Sequence, residues 1–287
     1  MKLPITALIA AKNEEANIGR CLSALEPAQR TIVIDSYSQD ATERIARDYG
    51  AEVVQFDYGG GYPKKRQWAL NNLPIKTPWV FLVDADEVVP EGLWKEIREA
   101  INGPDPCAGY LITKGFHFLG RGFRFGGFSH SAILIFCTGE AHFERLISDS
   151  SDGLDMEVHE RLVVHGKIGR LKTPLVHEDF KGLEAYIDRH NRYSTWEARL
   201  RHHFLKNGNW GRETIRPFLF GNSQERRRFL KGLAVRVPCE PFLWFLYHYL
   251  FRLGFLEGRP GLIACQIRAN YIAQVRAKLY ELRRQSS

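Results

Sequence analysis

A chain of 287 residues with 44% hydrophobic, 25% charged and 12% aromatic residues has an ordinary globular composition, which excludes collagen, coiled coil, repeat arrays and disorder. Its five cysteines are widely spaced and form no Cys-x-x-Cys pair, which argues against a zinc module or a disulfide framework and fits a reducing cytoplasm. The net charge of +7 is uneven: residues 199–287 hold 17 Lys+Arg against 5 Asp+Glu, net +12, leaving −5 for residues 1–198, so the C-terminal end is either a solvated basic face or the seat of an anionic partner.

No signal peptide is visible at Met1-Lys2-Leu3-Pro4. The first hundred residues alternate short apolar runs with amphipathic stretches. Ile5–Ile9, Thr31–Ile34, Glu52–Phe56 and Trp79–Val83 read as buried parallel strands. Between them Ile18, Cys21, Leu22 and Leu25 share one helical face. Ile45, Ala46 and Tyr49 do the same after an Asp40-Ala41-Thr42 start, with Gly50 as the stop. This βαβαβ order predicts an α/β doubly wound sheet with its ligand crevice at the carboxyl ends of the strands. Pro90-Glu91-Gly92 then opens a helix that turns Leu93, Trp94, Ile97 and Ile101 inward.

Gly103-Pro104-Asp105-Pro106 breaks the pattern. Strand-like Tyr110–Thr113, Ala132–Phe136 and Arg161–Val164 follow, with a glycine-rich stretch from Gly115 to Gly127 among them. Beyond about residue 183 the spacing of Tyr186, His190, Tyr193 and Trp196 is helical. Val237 to Leu256 is the most apolar segment, but Pro238, Glu240, Pro241, His248 and Arg252 disfavour a spanning helix. The last helix lines up Ile263, Ile267, Tyr271, Val275, Leu279 and Leu282, with Arg268, Arg276 and Arg283 displaced. Such a stripe suits a helix lying among lipid headgroups and a helix packed on the protein equally well.

Asp84-Ala85-Asp86-Glu87 ends the fourth strand. Carboxylates crowded at the mouth of a buried strand repel one another, and an Asp-x-Asp pair there suits a hard divalent ion that also bridges a diphosphate. Capping of the next helix is the competing use. Asp35, at the end of the second strand, is placed to accept from a ribose hydroxyl or a base N–H. Ala10-Ala11-Lys12-Asn13-Glu14-Glu15 lacks Gly-x-Gly-x-x-Gly and Gly-Lys-Ser/Thr, which disfavours a dinucleotide dehydrogenase and a P-loop enzyme. Lys64-Lys65-Arg66 is either a phosphate-binding cluster or a basic turn before a helix.

Leu8 to Ile18, Ile34-Asp35-Ser36 with Asp40-Ala41-Thr42, and Asp84-Ala85-Asp86-Glu87 together resemble family-2 glycosyltransferases of the GT-A fold. Val158-His159-Glu160-Arg161, Leu175-Val176-His177, Asn191-Arg192-Tyr193-Ser194 and Gly254 to Gly261 resemble its bacterial branch of lipopolysaccharide-core and exopolysaccharide glucosyltransferases. The resemblance implies a GT-A domain over residues 1–182 (a nucleotide-sugar half, 1–102, and an acceptor half, 103–182). A helical, basic and aromatic region, 183–287, follows.

It also implies an inverting, metal-dependent hexosyl transfer from a UDP-sugar to a lipid-linked saccharide, with Mg²⁺ or Mn²⁺, at the cytoplasmic face of the membrane. The nucleotide-sugar pocket would comprise Ala10, Asn13, Glu14, Asp35, Lys65, Asp84 and Ala85. Asp35 would meet the uracil, Glu14 the ribose, and Asp84 the ribose or a nearby phosphate. Asp86 and His177 would hold the metal, and histidine favours Mn²⁺. Inversion requires a base for the acceptor hydroxyl. The family's Glu-Asp pair is replaced here by His159-Glu160, with Glu160 the expected base and His159 its orienting neighbour or alternative. The partners implied are the UDP-sugar, the lipid-linked acceptor and an anionic membrane surface; the basic end lacks any nucleic-acid-binding signature. Competing classes are a nucleotidyltransferase, which lacks its glycine-rich opening here, and a non-catalytic sugar-nucleotide or lipid binder.

Overall fold

A computed structural model describes residues 2–146, 157, 160–179, 181–221 and 223–285. In chain order the elements of the first part are β1 (Leu3–Ala11), α1 (Ile18–Ser23), β2 (Ala28–Asp35), α2 (Thr42–Asp48), β3 (Glu52–Gln55), α3 (Lys65–Asn72), β4 (Trp79–Asp84), β5 (Glu87–Val88) and α4 (Glu91–Ile101). Then come β6 (Gly109–Phe118), β7 (Arg121–Gly122), β8 (His130–Cys137), β9 (Ala141–Phe143), β10 (Arg145–Leu146), β11 (Leu162–Val164), β12 (Ile168–Arg170) and β13 (Leu175–His177). The C-terminal part holds α5 (Gly182–Asn207), β14 (Gly211–Glu213), α6 (Ser223–Ala234), α7 (Glu240–Leu246) and α8 (Gly258–Gln285).

The chain forms two compact units. One comprises Met1–Gly122, Ser129–Phe143 and Gly153–Gly182; the other comprises Phe123–Phe128, Glu144–Asp152 and Leu183–Ser287. The first is built on a mixed sheet of order β3-β2-β1-β4-β8-β6-β13-β5. Strands β3, β2, β1 and β4 run parallel, and their near-continuous Val, Ile, Leu and Phe content follows from helices covering the sheet. The switch to antiparallel comes at β8, which pairs with β4 and with β6. The α/β class holds, and so does the GT-A layout of a parallel sheet continued by mixed strands.

Register aligns the chemistry. Ala10 lies opposite both Ile34 and Asp84, and Ala11 opposite Asp35. The carboxyl ends of β1, β2 and β4 therefore open at one edge. The short antiparallel pairing of β5 with β13 sets His177 against Glu87.

The α4 face is as expected: Leu93, Trp94, Ile97 and Ile101 are buried. One inward residue is corrected. Tyr49 is the residue that caps the end of α2 and is 56% exposed, because its ring lies beside Gly19 of α1 rather than against the sheet. Leu25 is buried, though it lies in the turn after α1 rather than in the helix.

In the second unit, Tyr271, Ile272, Val275 and Leu279 of α8 pack with Ala198 of α5. The apolar stripe of the last helix is thus used inside the protein rather than among headgroups. Among the described residues no helix is long and apolar enough to cross a membrane.

Candidate active site

Strand β4 delivers Asp84 at its last position, and the two-residue step to β5 places Ala85, Asp86 and Glu87 in succession. Glu87 folds back to accept the Asp84 backbone N–H at 2.8 Å and is fully buried. A buried carboxylate needs a cation, and Lys114 supplies it. Its Nζ lies 2.6 Å from Glu87 Oε1 and 2.6 Å from Asp84 Oδ2. The Arg66 guanidinium takes the other oxygen of Asp84. Burial would raise the Asp84 pKa, but Arg66 and Lys114 outweigh it and hold the group far below the usual carboxylate range. Burial would likewise lower Lys114, and Asp84 with Glu87 reverses this, so it stays charged.

Asp86 and His177 face each other, with Nε2 3.5 Å from Asp86 Oδ2, while Nδ1 lies 3.6 Å from Glu87 Oε1. Burial would lower the His177 pKa, but Asp86 and Glu87 push it up to about 9, so an imidazolium balances the acidic cluster. Asp84, Asp86 and His177 each offer a ligand atom, all within 4.8 Å of one another. The ligands of a small divalent cation with bonds of about 2.1 Å stand roughly 3 Å apart when adjacent and about 4 Å when opposite; Asp86 and His177, 3.5 Å apart, already have that spacing. Asp84 is already balanced by two cations, which leaves Asp86 and His177 as the better-placed ligands.

The turn after β1 lies beside this cluster in the same unit. Asn13 adopts a positive φ of 54°. Its N–H donates to Ser38 Oγ at 2.8 Å, and its Oδ1 accepts from the Gln39 N–H at 2.8 Å. Asp35 is buried and accepts the Ser38 N–H at 2.9 Å. Glu14 pairs with Lys181 and accepts from Asn17 Nδ2 at 2.9 Å; burial raises its pKa against the lowering pull of Lys181. Asn17 Nδ2 also donates to Asp179 Oδ1 at 3.0 Å, tying the segment after His177 to the turn after β1. Ala10 and Ala85 are buried small residues that leave the strand ends open.

The basic triplet divides its work. Lys65 is 1% exposed and donates from Nζ to the Ala11 carbonyl at 2.7 Å, so it fastens the end of β1. Arg66 is the member that reaches Asp84. Lys64 Nζ is 3.2 Å from Glu160 Oε1, both side chains being buried. Glu157, also buried, accepts the backbone N–H groups of Arg66 and Gln67 at 3.2 and 3.0 Å, capping α3. Burial raises its pKa more than Arg66 lowers it. Glu160 therefore stands beside the α3 N-terminus; His159 lies outside the described residues.

Sequence reasoning missed Lys114, Lys181, Asp179 and the role of Glu157. Lys114 left a signal: Tyr110, Ile112 and Lys114 alternate on the buried face of β6, and a lysine at an inward strand position calls for a buried acid.

The crevice at the carboxyl ends of β1, β2 and β4, edged by Asp35 and an Asp-x-Asp group, lies where α/β folds of this kind bind their ligands. The sequence model described as "Glycosyl transferase family 2" matches residues 6–127, and the chain carries a family-2 glycosyltransferase domain over that segment. The protein is a glycosyltransferase. The chain is 27% identical to the lipopolysaccharide core biosynthesis glycosyltransferase LpsC of Rhizobium meliloti (strain 1021), over 98% of this chain and 93% of that one. An uncharacterized glycosyltransferase of Rickettsia typhi is 26% identical over 97% of this chain and 87% of its own. Among solved structures, S. aureus TarS 1–349 is similar at 18% identity and a TM-score of 0.44, over 99% of this chain and 92% of that one.

Proposed function

We propose that this enzyme moves a hexose from a UDP-sugar, with inversion, onto a lipid-linked or lipopolysaccharide or exopolysaccharide glycan, peripherally at the cytoplasmic face of the cell membrane. The observation that carries the reading is the convergence of Asp84, Asp86 and His177 at the carboxyl end of β4, at the edge where Asp35 also ends its strand. Near-full-length similarity to LpsC supports a lipopolysaccharide-type acceptor.

In this reading Asp35 accepts from the uracil, and Ala10, Asn13, Glu14, Lys65 and Ala85 shape the nucleoside pocket, with Glu14 meeting the ribose. Asp84 orients the ribose or the adjoining phosphate. Asp86 and His177 would hold Mn²⁺ or Mg²⁺, which when bound offsets the charge of the departing diphosphate. Glu160 takes the acceptor hydroxyl proton as that oxygen bonds to the anomeric carbon and the bond to UDP breaks, the electron pair leaving with UDP; His159 is the alternative base. The direct test is UDP release from a panel of UDP-sugars, with metal removed by chelation and restored as Mn²⁺ or Mg²⁺. Release that depends on metal and is lost in Asp86→Ala supports the reading; metal-independent release, or release unchanged in the variant, contradicts it.

A further inference from the structure

The segment from Pro241 to Phe255 has no buried use for its outer face. Phe242, Leu243, Tyr247, Leu250, Phe251 and Phe255 are each more than 40% exposed, and Phe251 reaches 77%. The first five fall on one side of α7 and of the π-helical turn Tyr247–Phe251 that continues it, at the spacing i, i+1, i+5, i+8 and i+9 that keeps residues on one helical face. The inner side is partly buried: Trp244 stacks on His248 at 3.7 Å and meets Phe128 edge-on, and Phe245 stacks on Tyr249. An apolar ridge of this size is uncommon on a protein that meets only water.

Its charge identifies what covers it. From Pro241 to Tyr280 the sole acidic residue is Glu257, against Arg252, Arg259, Arg268, Arg276 and Lys278. Glu257 is 2% exposed, with Oε1 accepting the backbone N–H groups of Arg124 and Phe125 at 2.7 Å each. Arg252 and Arg259 are exposed at the end of the ridge. Exposed phenylalanine, leucine and tyrosine side chains, and arginines without exposed carboxylates, are complementary to the interface of an anionic bilayer. No described helix here can span it.

We infer that the Phe242–Phe255 ridge inserts into the interfacial layer of an anionic lipid bilayer, with Arg252 and Arg259 at the level of the headgroups. This deepens, and rests on, the reading of the enzyme as acting on a lipid-linked acceptor. It also assigns a role to the glycine-rich turn. Gly126 donates its N–H to the Arg252 carbonyl at 2.8 Å, and His248 Nδ1 hydrogen-bonds the Gly126 carbonyl at 2.6 Å. Together with the Glu257 bonds, these fasten residues 123–128 to the back of the ridge. Docking therefore carries that turn, the immediate chain continuation of β7, to the lipid surface.

The test is flotation of the full chain with vesicles of phosphatidylcholine alone and of phosphatidylcholine with phosphatidylglycerol, with metal-dependent UDP binding measured on the same preparations. Wild type is expected to float with the anionic vesicles. Leu250→Ser with Phe251→Ser should lower its partitioning at least about tenfold, since two buried apolar side chains are removed from the lipid. Arg252→Gln with Arg259→Gln should abolish the preference for anionic lipid. UDP binding is expected to be unchanged in both. Equal flotation of the serine variant and wild type overturns the inference. So does a wild type that floats with neither vesicle but self-associates until the serine substitutions disperse it. Flotation as expected with no UDP binding in any sample overturns the donor-site reading and leaves the ridge standing.

Discussion

Lys114 balances two buried carboxylates at once, Asp84 and Glu87, so its loss leaves Glu87 with only the His177 imidazolium and Asp84 with Arg66 as its one contacting cation. Lys114→Met is expected to destabilise the protein by about 3–5 kcal/mol, read as a lower urea midpoint; an unchanged midpoint would show that Glu87 is neutral in the native protein. His177 gives a pH signature. In the metal-free enzyme its pKa is raised to about 9 from about 6.5 unfolded. Its contribution, on the order of 3 kcal/mol at most, is therefore complete below pH about 6.5 and lost as pH rises through about 9. Urea titrations with chelator should show that loss in wild type and not in His177→Gln. An ion bound at Nε2 displaces the same proton, so Mn²⁺ affinity should rise with pH over this window. Glu160→Gln is expected to cut turnover by a factor of about 10²–10⁴ while UDP still binds; unchanged turnover would move the base elsewhere. Asp84 and Asp86 were legible in the sequence because a run of buried β residues ends on them. Lys181 and Asp179 were not, because only tertiary folding brings residues so far apart in the chain to one place.

At the scale of elements, the start of α3 depends on a carboxylate some ninety residues away in sequence. Glu157→Ala would leave the backbone N–H groups of Arg66 and Gln67 buried without acceptors, at a cost of about 1–3 kcal/mol. The same change should loosen Arg66 from Asp84, so a weaker UDP complex is expected alongside the lower stability. Full UDP affinity in a destabilised variant would confine Glu157 to a structural role. Strands β1 to β4 could be read in advance since each is a continuous apolar run closed by polar residues. Strand β5 and its partner β13 could not: two and three residues carry no periodicity, and only their pairing places His177 beside Glu87. Helix α8 shows the opposite limit. Its stripe was evident, but periodicity does not name the surface it meets, and packing of Tyr271, Val275 and Leu279 with α5 decides that.

At the scale of the whole molecule, the +12 of residues 199–287 is not all surface charge. Arg228 is buried on Glu144, and Arg201 lies between Glu197 and Glu240, with Tyr271 donating to Glu197 at 2.7 Å. Such groups serve the helical unit's interior, and the exposed arginines are the ones the proposed lipid contact would use. The overall α/β plan and the position of the crevice were legible from the order of the elements alone. The partition into two units was less so, because residues 123–128 join the C-terminal unit through bonds to Arg252, His248 and Glu257 that no local pattern announces. The account turns on the donor site, and metal-dependent UDP release by wild type and Asp86→Ala tests it most directly. The prediction is release from a UDP-hexose that stops with chelator, returns with Mn²⁺ and is absent in the variant. Release that ignores both the metal and the substitution would contradict the assignment of the Asp84–Asp86–His177 cluster as the metal and diphosphate site.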